Sequence, residues 1–211
     1  QPRLSRADRE AKVREILLRV GLDPNLINRY PHELSGGQNQ RVGIARAMIL
    51  QPKLVICDEA VSALDVSVQA QVVDFLIELQ KDFGLAMIFI SHDLAVVRQI
   101  SHRVMVLYLG RVVELAGRNA IYTEARHPYT KALIAAVPNA DPTGERTREH
   151  LRLTGDLPSP LDSRASLRFM KSKLIDDGDA EQYQPKLVEI APGHLVAEHD
   201  PVMGGAGLRA S

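Results

Sequence analysis

The sequence predicts an α/β fold on three observations. Residues 54–57 (Leu-Val-Ile-Cys) and 86–90 (Ala-Met-Ile-Phe-Ile) are short runs with no polar residue. Between them, residues 68–83 place Val72, Phe75, Leu76 and Leu79 at helical spacing, and Gly84 follows the last turn. Strand, helix, strand is a βαβ unit, and strands apolar throughout are expected to be buried on both faces of a parallel sheet.

The other elements follow in order. Residues 5–20 read as an amphipathic helix, with Ser5 as cap, Asp8 three residues on, an inner face of Val13, Ile16, Leu17 and Val20, and Gly21 at its end. Asp23-Pro24-Asn25 is a turn. Ser35-Gly36-Gly37 opens a second helix, expected to run to about Leu50 with Val42, Ala45, Met48 and Ile49 inward, and Pro52 breaks it. A short helix at 94–100 leads to a strand at 104–108, a turn at Leu109-Gly110-Arg111 and a strand at 112–115. Two helical pieces follow at 119–123 and 129–137, Pro128 opening the second. From Pro138 the composition shifts to Pro, Asp, Thr, Gly and Arg, which reads as a linker to a tail. No internal repeat is visible.

Composition narrows the function. A chain of 211 residues, 45% hydrophobic, has enough apolar material for a sizeable core. Lys and Arg number 26 against 26 Asp and Glu, so no net basic surplus points to nucleic acid. Cys57 is the single cysteine, which excludes an internal disulfide and fits a reducing compartment. No apolar run approaches the ~20 residues that span a bilayer. Gln1-Pro2-Arg3 is neither a signal peptide nor a translation start, so the beginning of a longer parent protein is expected upstream.

Three places can carry chemistry. Asp58 and Glu59 follow the 54–57 strand, and ligands of open α/β sheets bind at the carboxyl ends of strands. There one carboxylate can serve Mg²⁺ and the other can accept a proton from water, although acidic residues that merely end a strand explain the pair equally well. His92 follows the 86–90 strand, and a right-handed crossover puts both carboxyl ends on one edge. His92 can then approach Asp58 and Glu59 and donate to a phosphate oxygen, unless Ser91-His92-Asp93 only caps the next helix. Ser35-Gly36-Gly37 offers a helix N-terminus with unobstructed N–H groups, an anion site or an ordinary capped helix.

Together the segments are specific. Leu34-Ser35-Gly36-Gly37-Gln38 resembles the signature motif of ABC transporter ATPases, residues 54–59 their Walker B strand with its glutamate, Ser62-Ala63-Leu64-Asp65 their D-loop, and His92 their switch histidine. The resemblance spans about residues 5–137. It implies part of a P-loop NTPase core (51–137), part of a helical signature subdomain (1–50), and a linker with C-terminal extension (138–211). It implies that Asp58 organises Mg²⁺ through water, Glu59 polarises the attacking water and His92 contacts the γ-phosphate of ATP. It further implies that Leu34, Ser35, Gly36, Gly37 and Gln38 press on ATP held by an opposite subunit, and that Ser62, Ala63, Leu64 and Asp65 lie at the dimer interface.

Tyr30-Pro31-His32-Glu33, Asp58-Glu59-Ala60-Val61 and His127-Pro128-Tyr129-Thr130 resemble the ATP-binding subunits of bacterial dipeptide, oligopeptide, glutathione and nickel importers. Gly155-Asp156-Leu157-Pro158-Ser159-Pro160 and Pro192-Gly193-His194 resemble that group's C-terminal extension. The implied partners are a second ATPase subunit, same or sister, transmembrane permease subunits and, indirectly, a solute-binding protein, with no nucleic acid. The implied location is peripheral, on the cytoplasmic face of the inner membrane.

Two departures alter the expectations. Many members carry a cysteine cluster for an iron–sulfur centre in the tail, whereas here Arg168, Met170 and Lys171 surround Phe169, so no iron–sulfur cluster is expected. The sequence also contains no G-x-x-x-x-G-K-[ST], the loop that cradles the β and γ phosphates of ATP. Alternative readings are therefore a fragment that donates only its signature motif in trans, or a truncated, inactive product. A soluble ABC ATPase of DNA repair or translation is disfavoured by the His127–Thr130 element and the Pro-rich tail.

Overall fold

The structure, a computed structural model, describes residues 4–62, 64–137, 167–170 and 184–200. The expected linker at 138–150, the Gly155 to Pro160 stretch, Lys171 and Ala63 of the D-loop segment lie outside the described residues. The chain divides into two compact units, 1–100 and 101–211.

In the first unit, α1 (Arg6–Arg19) begins with a capping box. The Ser5 hydroxyl accepts from Asp8 N, and Ser5 N donates back to the Asp8 carboxylate, an arrangement worth about 1 kcal/mol. Ile16, Leu17 and Val20 pack with Leu22, Ala45, Met48 and Leu85 in one cluster. Gly21 has φ +70°, and a Cβ there would stand 2.8 Å from an Arg41 guanidinium nitrogen that bonds the Val20 carbonyl. Conformation and space both call for glycine at this position.

α2 (Gly36–Met48) leads through Pro52 to β1 (Leu54–Asp58). α3 (Val66–Phe83) starts two residues before the sequence predicts, because Asp65 caps it by accepting from Val68 N. Gly84, at φ +57°, closes it. β2 (Ala86–Ile90) runs parallel to β1, Leu54 opposite Ala86 and Asp58 opposite Ile90, and α4 (Leu94–Ile100) follows.

The expectation of strands buried on both faces is corrected here. Val55, Cys57, Met87 and Phe89 face the helices and join the clusters around α2, α3 and α4. The pleat sends alternate residues the other way, and there Leu54, Ile56, Ile88 and Ile90 are 46–62% exposed. Among the described residues of this unit, helices cover one side of the two-stranded sheet.

In the second unit, β3 (Arg103–Tyr108) and β4 (Arg111–Gly117) form a hairpin whose turn holds Leu109 at φ +48° and Gly110 at φ +77°. α5 (Arg118–Glu124) follows, then α6 (Pro128–Ala135), with Pro128 in its first turn and His127 as its cap. Two strands that the sequence reading does not include complete the sheet. β5 (Leu187–Ala191) and β6 (His194–Ala197) form a hairpin around Pro192-Gly193, and β6 pairs antiparallel with β4 to give the order β3-β4-β6-β5.

Candidate functional site

The parallel register of β1 and β2 brings their carboxyl ends together. Glu59 N donates to Ile90 O at 3.0 Å, bridging the two strand ends. One residue beyond Ser91, the His92 Nδ1 lies 3.1 Å from Glu59 Oε1. The crossover argument anticipates this approach. Two residues of the Ser91-His92-Asp93 segment do cap the next helix: the Asp93 carboxylate accepts from Ala95 N and Val96 N at the start of α4, and Ser91 Oγ accepts from Asp93 N. The imidazole is left to Glu59.

Glu59 occupies the left-handed region at φ +46°, which nothing in the sequence signals. This conformation costs a non-glycine residue about 1–2 kcal/mol. It is pinned by the bond to Ile90 O and by Ser62, whose N and Oγ both donate to Glu59 O at 3.2 and 3.0 Å. Ser62 thus fixes the backbone of the carboxylate residue.

Asp58, Glu59 and His92 are all exposed. An exposed side-chain contact of this kind contributes at most about 1 kcal/mol, so the Glu59–His92 contact parts easily to admit a water and a phosphate. Among the described residues no three His, Cys, Asp or Glu side chains converge into a metal cage.

The Ser35–Gln38 segment is the start of α2. Ser35 Oγ accepts from Gln38 N, and Ser35 N donates to Gln38 Oε1. Asn39 Nδ2 donates to the Pro31 and Leu34 carbonyls and fixes the approach loop. Ser35 and Gly36 are exposed, while Leu34, Gly37 and Gln38 are half-buried. Asp65 Oδ1 accepts from Ser67 Oγ at 2.6 Å and from Val68 N, and these bonds hold its carboxyl below the usual range.

Sequence reasoning missed a second cluster, in the other unit. Glu114 on β4 is wholly buried. It accepts from Arg126 N (2.9 Å), His127 N (3.0 Å) and His194 Nε2 (2.8 Å). Burial works against its ionisation, but the hydrogen bonds outweigh burial and hold the carboxyl below its ordinary value. His127 Nδ1 accepts from Tyr129 N, and the ring packs against Phe169 and His199. Burial, reinforced by His199 and opposed by Glu114, lowers the His127 pKa to about 4. No local spacing joins residues 114, 127, 194 and 199, so only the tertiary fold reveals the cluster.

A pH dependence follows. His127 is neutral when folded and titrates near its ordinary 6.5 when unfolded. Its stabilisation is therefore complete above about pH 6.5 and is lost as pH falls towards 4, amounting to roughly 3 kcal/mol. Melting curves from pH 7.5 to 4.5 are expected to fall more steeply for the wild type than for His127→Asn. Parallel curves would refute the assignment.

Comparison with known proteins accords with this geometry. Residues 2–62 match the ABC transporter family, and residues 113–169 match the oligopeptide/dipeptide transporter C-terminal region. The α/β core and the segments around Ser35 and Glu59 accord with these matches, which make the chain similar to ATP-binding proteins of the ABC transporter family. Glu114 and the His127–Thr130 element lie in the stretch that matches the oligopeptide/dipeptide transporter C-terminal region. It is 53% identical over 197 residues to the oligopeptide transport ATP-binding protein OppF of Haemophilus influenzae, covering 93% of this chain and 59% of that protein. It is 58% identical over 186 residues to OppF of Escherichia coli, covering 88% and 56%. Among solved structures, CbiO1 of Clostridium perfringens, part of the ABC transporter complex CbiONQ, is 30% identical with a TM-score of 0.53 over 58% of this chain and 48% of that one. The chain thus spans somewhat over half the length of these curated relatives.

Proposed function

We propose that the chain is the signature- and Walker B-bearing portion of an ATP-binding subunit that hydrolyses ATP to energise import of peptides or a related small solute. The observation that carries this reading is the convergence of Glu59 and His92 at the carboxyl ends of two parallel strands, beside Asp58. Glu59 takes a proton from water. With Nδ1 turned to Glu59, the His92 Nε2 is free to meet a phosphate oxygen. Asp58 would hold Mg²⁺ through the ion's water shell, which asks for one exposed carboxylate rather than a closed cage. Bound Mg·ATP supplies the phosphoryl group and the charge that these residues steady.

The exposure of Asp58, Glu59 and His92 supports assembly with a second subunit, same or sister, because hydrolysis calls for a cover that excludes bulk water. Leu34, Ser35, Gly36, Gly37 and Gln38 form the corresponding cover for the partner's nucleotide, and Ser62, Ala63, Leu64 and Asp65 line the interface between subunits. Residues 1–50 form part of the helical subdomain, 51–137 part of the core, and 138–211 the linker and extension. Permease subunits and, through them, a solute-binding protein complete the assembly at the cytoplasmic face of the inner membrane, with no role for nucleic acid. No helix among the described residues is long and apolar enough to cross a membrane. The only cysteine, Cys57, is buried in β1 with its thiol pKa raised by burial, so the chain supplies no ligand set for an iron–sulfur cluster.

The test is Mg·ATP binding by the purified chain, with and without an intact ATP-binding subunit that carries its own phosphate loop. Negligible binding alone and slower nucleotide release from the subunit on adding the chain are expected, and Ser35→Arg should abolish that slowing. Tight binding by the chain alone would mean that it holds another phosphate cradle. Equal slowing by Ser35→Arg would remove the signature motif from the contact.

A further inference from the structure

We infer that Val68 and Leu64 are positioning residues for the signature helix, seated by the Asp65 cap of α3, so that Gly37 is glycine for intramolecular packing as well as for access. The inference rests on the reading of Ser35 to Gln38 as the segment that meets nucleotide in trans.

The contacts are specific. A Cβ added to Gly37 would lie 3.2 Å from Val68 Cγ1, and one added to Gly36 would lie 3.7 Å from Leu64 Cδ2. The first turn of α2 therefore rests on Leu64 and on the first turn of α3, and a methyl group at 37 fits only if Val68 gives by a few tenths of an ångström. Val68 cannot readily yield. A β-branched side chain in a helix is confined mainly to one rotamer, and the Val68 backbone N–H is held by Asp65 Oδ1 at 3.0 Å, the oxygen that also accepts from Ser67 Oγ.

The support beneath is continuous. Leu64 and Val68 pack on the cluster of Cys57, Val61, Val72, Val73, Leu76 and Val96. Cys57 immediately precedes Asp58 and Glu59 in the chain. One apolar block therefore carries the hydrolytic carboxylates and the shelf on which the signature glycines sit. Asp65, placed at the subunit interface, acts on its own chain's signature helix through Val68, and a partner that disturbs the Asp65 cap shifts the shelf.

The experiment is a double-mutant cycle of Gly37→Ala and Val68→Ala in the 211-residue chain, read by thermal melting. Alanine is the better helix former, so the contact is measured by how far Val68 suppresses that gain. The Gly37→Ala shift is expected to be more favourable by about 3 °C in the Val68→Ala background than in the wild type. In Val68→Thr, which keeps the branched shape, it should match the wild type. Equal shifts in all backgrounds overturn the inference.

The same variants are then added to an intact ATP-binding subunit. Gly37→Ala should weaken the slowing of Mg·ATP release about tenfold, and Val68→Ala should restore most of it. Melting coupling without restoration means that nucleotide approach alone dictates Gly37, which overturns the positioning role. If the wild-type chain slows nothing, the signature reading itself fails and with it the functional half of the inference, while the melting cycle still decides the contact.

Discussion

Glu59→Gln in the complete subunit, assembled with its partner, is expected to lower ATP turnover about 10²–10⁴-fold with Mg·ATP still bound. The amide keeps the size and reach of the carboxylate but accepts no proton at neutral pH. The residue's place is fixed by its backbone, through Ile90 O, Ser62 N and Ser62 Oγ, and these bonds survive the substitution. Binding and chemistry should therefore separate: steady-state phosphate release collapses while retained nucleotide does not. Because the Glu59–His92 pair is exposed, with side chains 54% and 72% accessible, the melting temperature should barely move. Turnover at the wild-type rate would remove Glu59 as the base.

Glu114→Ala is expected to destabilise the second unit by about 3–5 kcal/mol. The cost comes from what remains: the N–H groups of Arg126 and His127 and the His194 imidazole lose their acceptor inside the fold. Glu114→Gln, which keeps one acceptor oxygen, should lose roughly half as much. Near-ultraviolet circular dichroism is a suitable readout, because the Tyr108 and Tyr129 rings lie 4.8 Å apart, tilted at 58°, in this unit and their signal reports its packing. A Glu114→Ala chain that melts within about 1 kcal/mol of the wild type would show that water reaches the site and that the carboxylate is no keystone.

Local chemistry was legible in the sequence. Ser5 with Asp8 and the Ser35-Gly36-Gly37 segment announce two helix starts, and both starts form capping boxes. The two apolar runs announce β1 and β2, and the handedness of the crossover foretells that His92 meets Glu59. Features that depend on distant partners were not legible. The one-sided burial of Leu54, Ile56, Ile88 and Ile90 depends on what covers the sheet, which no run of apolar residues states. Leu187 to Ala191 is a short mixed stretch whose strand character rests on its hairpin partner, and the sheet order depends on β4, far away in sequence. The left-handed Glu59 is invisible to propensity, because its conformation is imposed by Ser62 and Ile90.

The pairing of β6 with β4 has a consequence for biosynthesis. Glu114 and His194 are 80 residues apart, and at about 5–20 residues per second a ribosome needs several seconds to cover that interval. For part of it β4 is outside the exit tunnel with one edge open, and Glu114 has Arg126 N and His127 N but lacks His194. An open edge is a template for any neighbouring strand, including one from a nascent copy on the same message. A chain that stops before Leu187 lacks both β5 and β6 and never closes that edge, so such a truncation is expected to associate through β4.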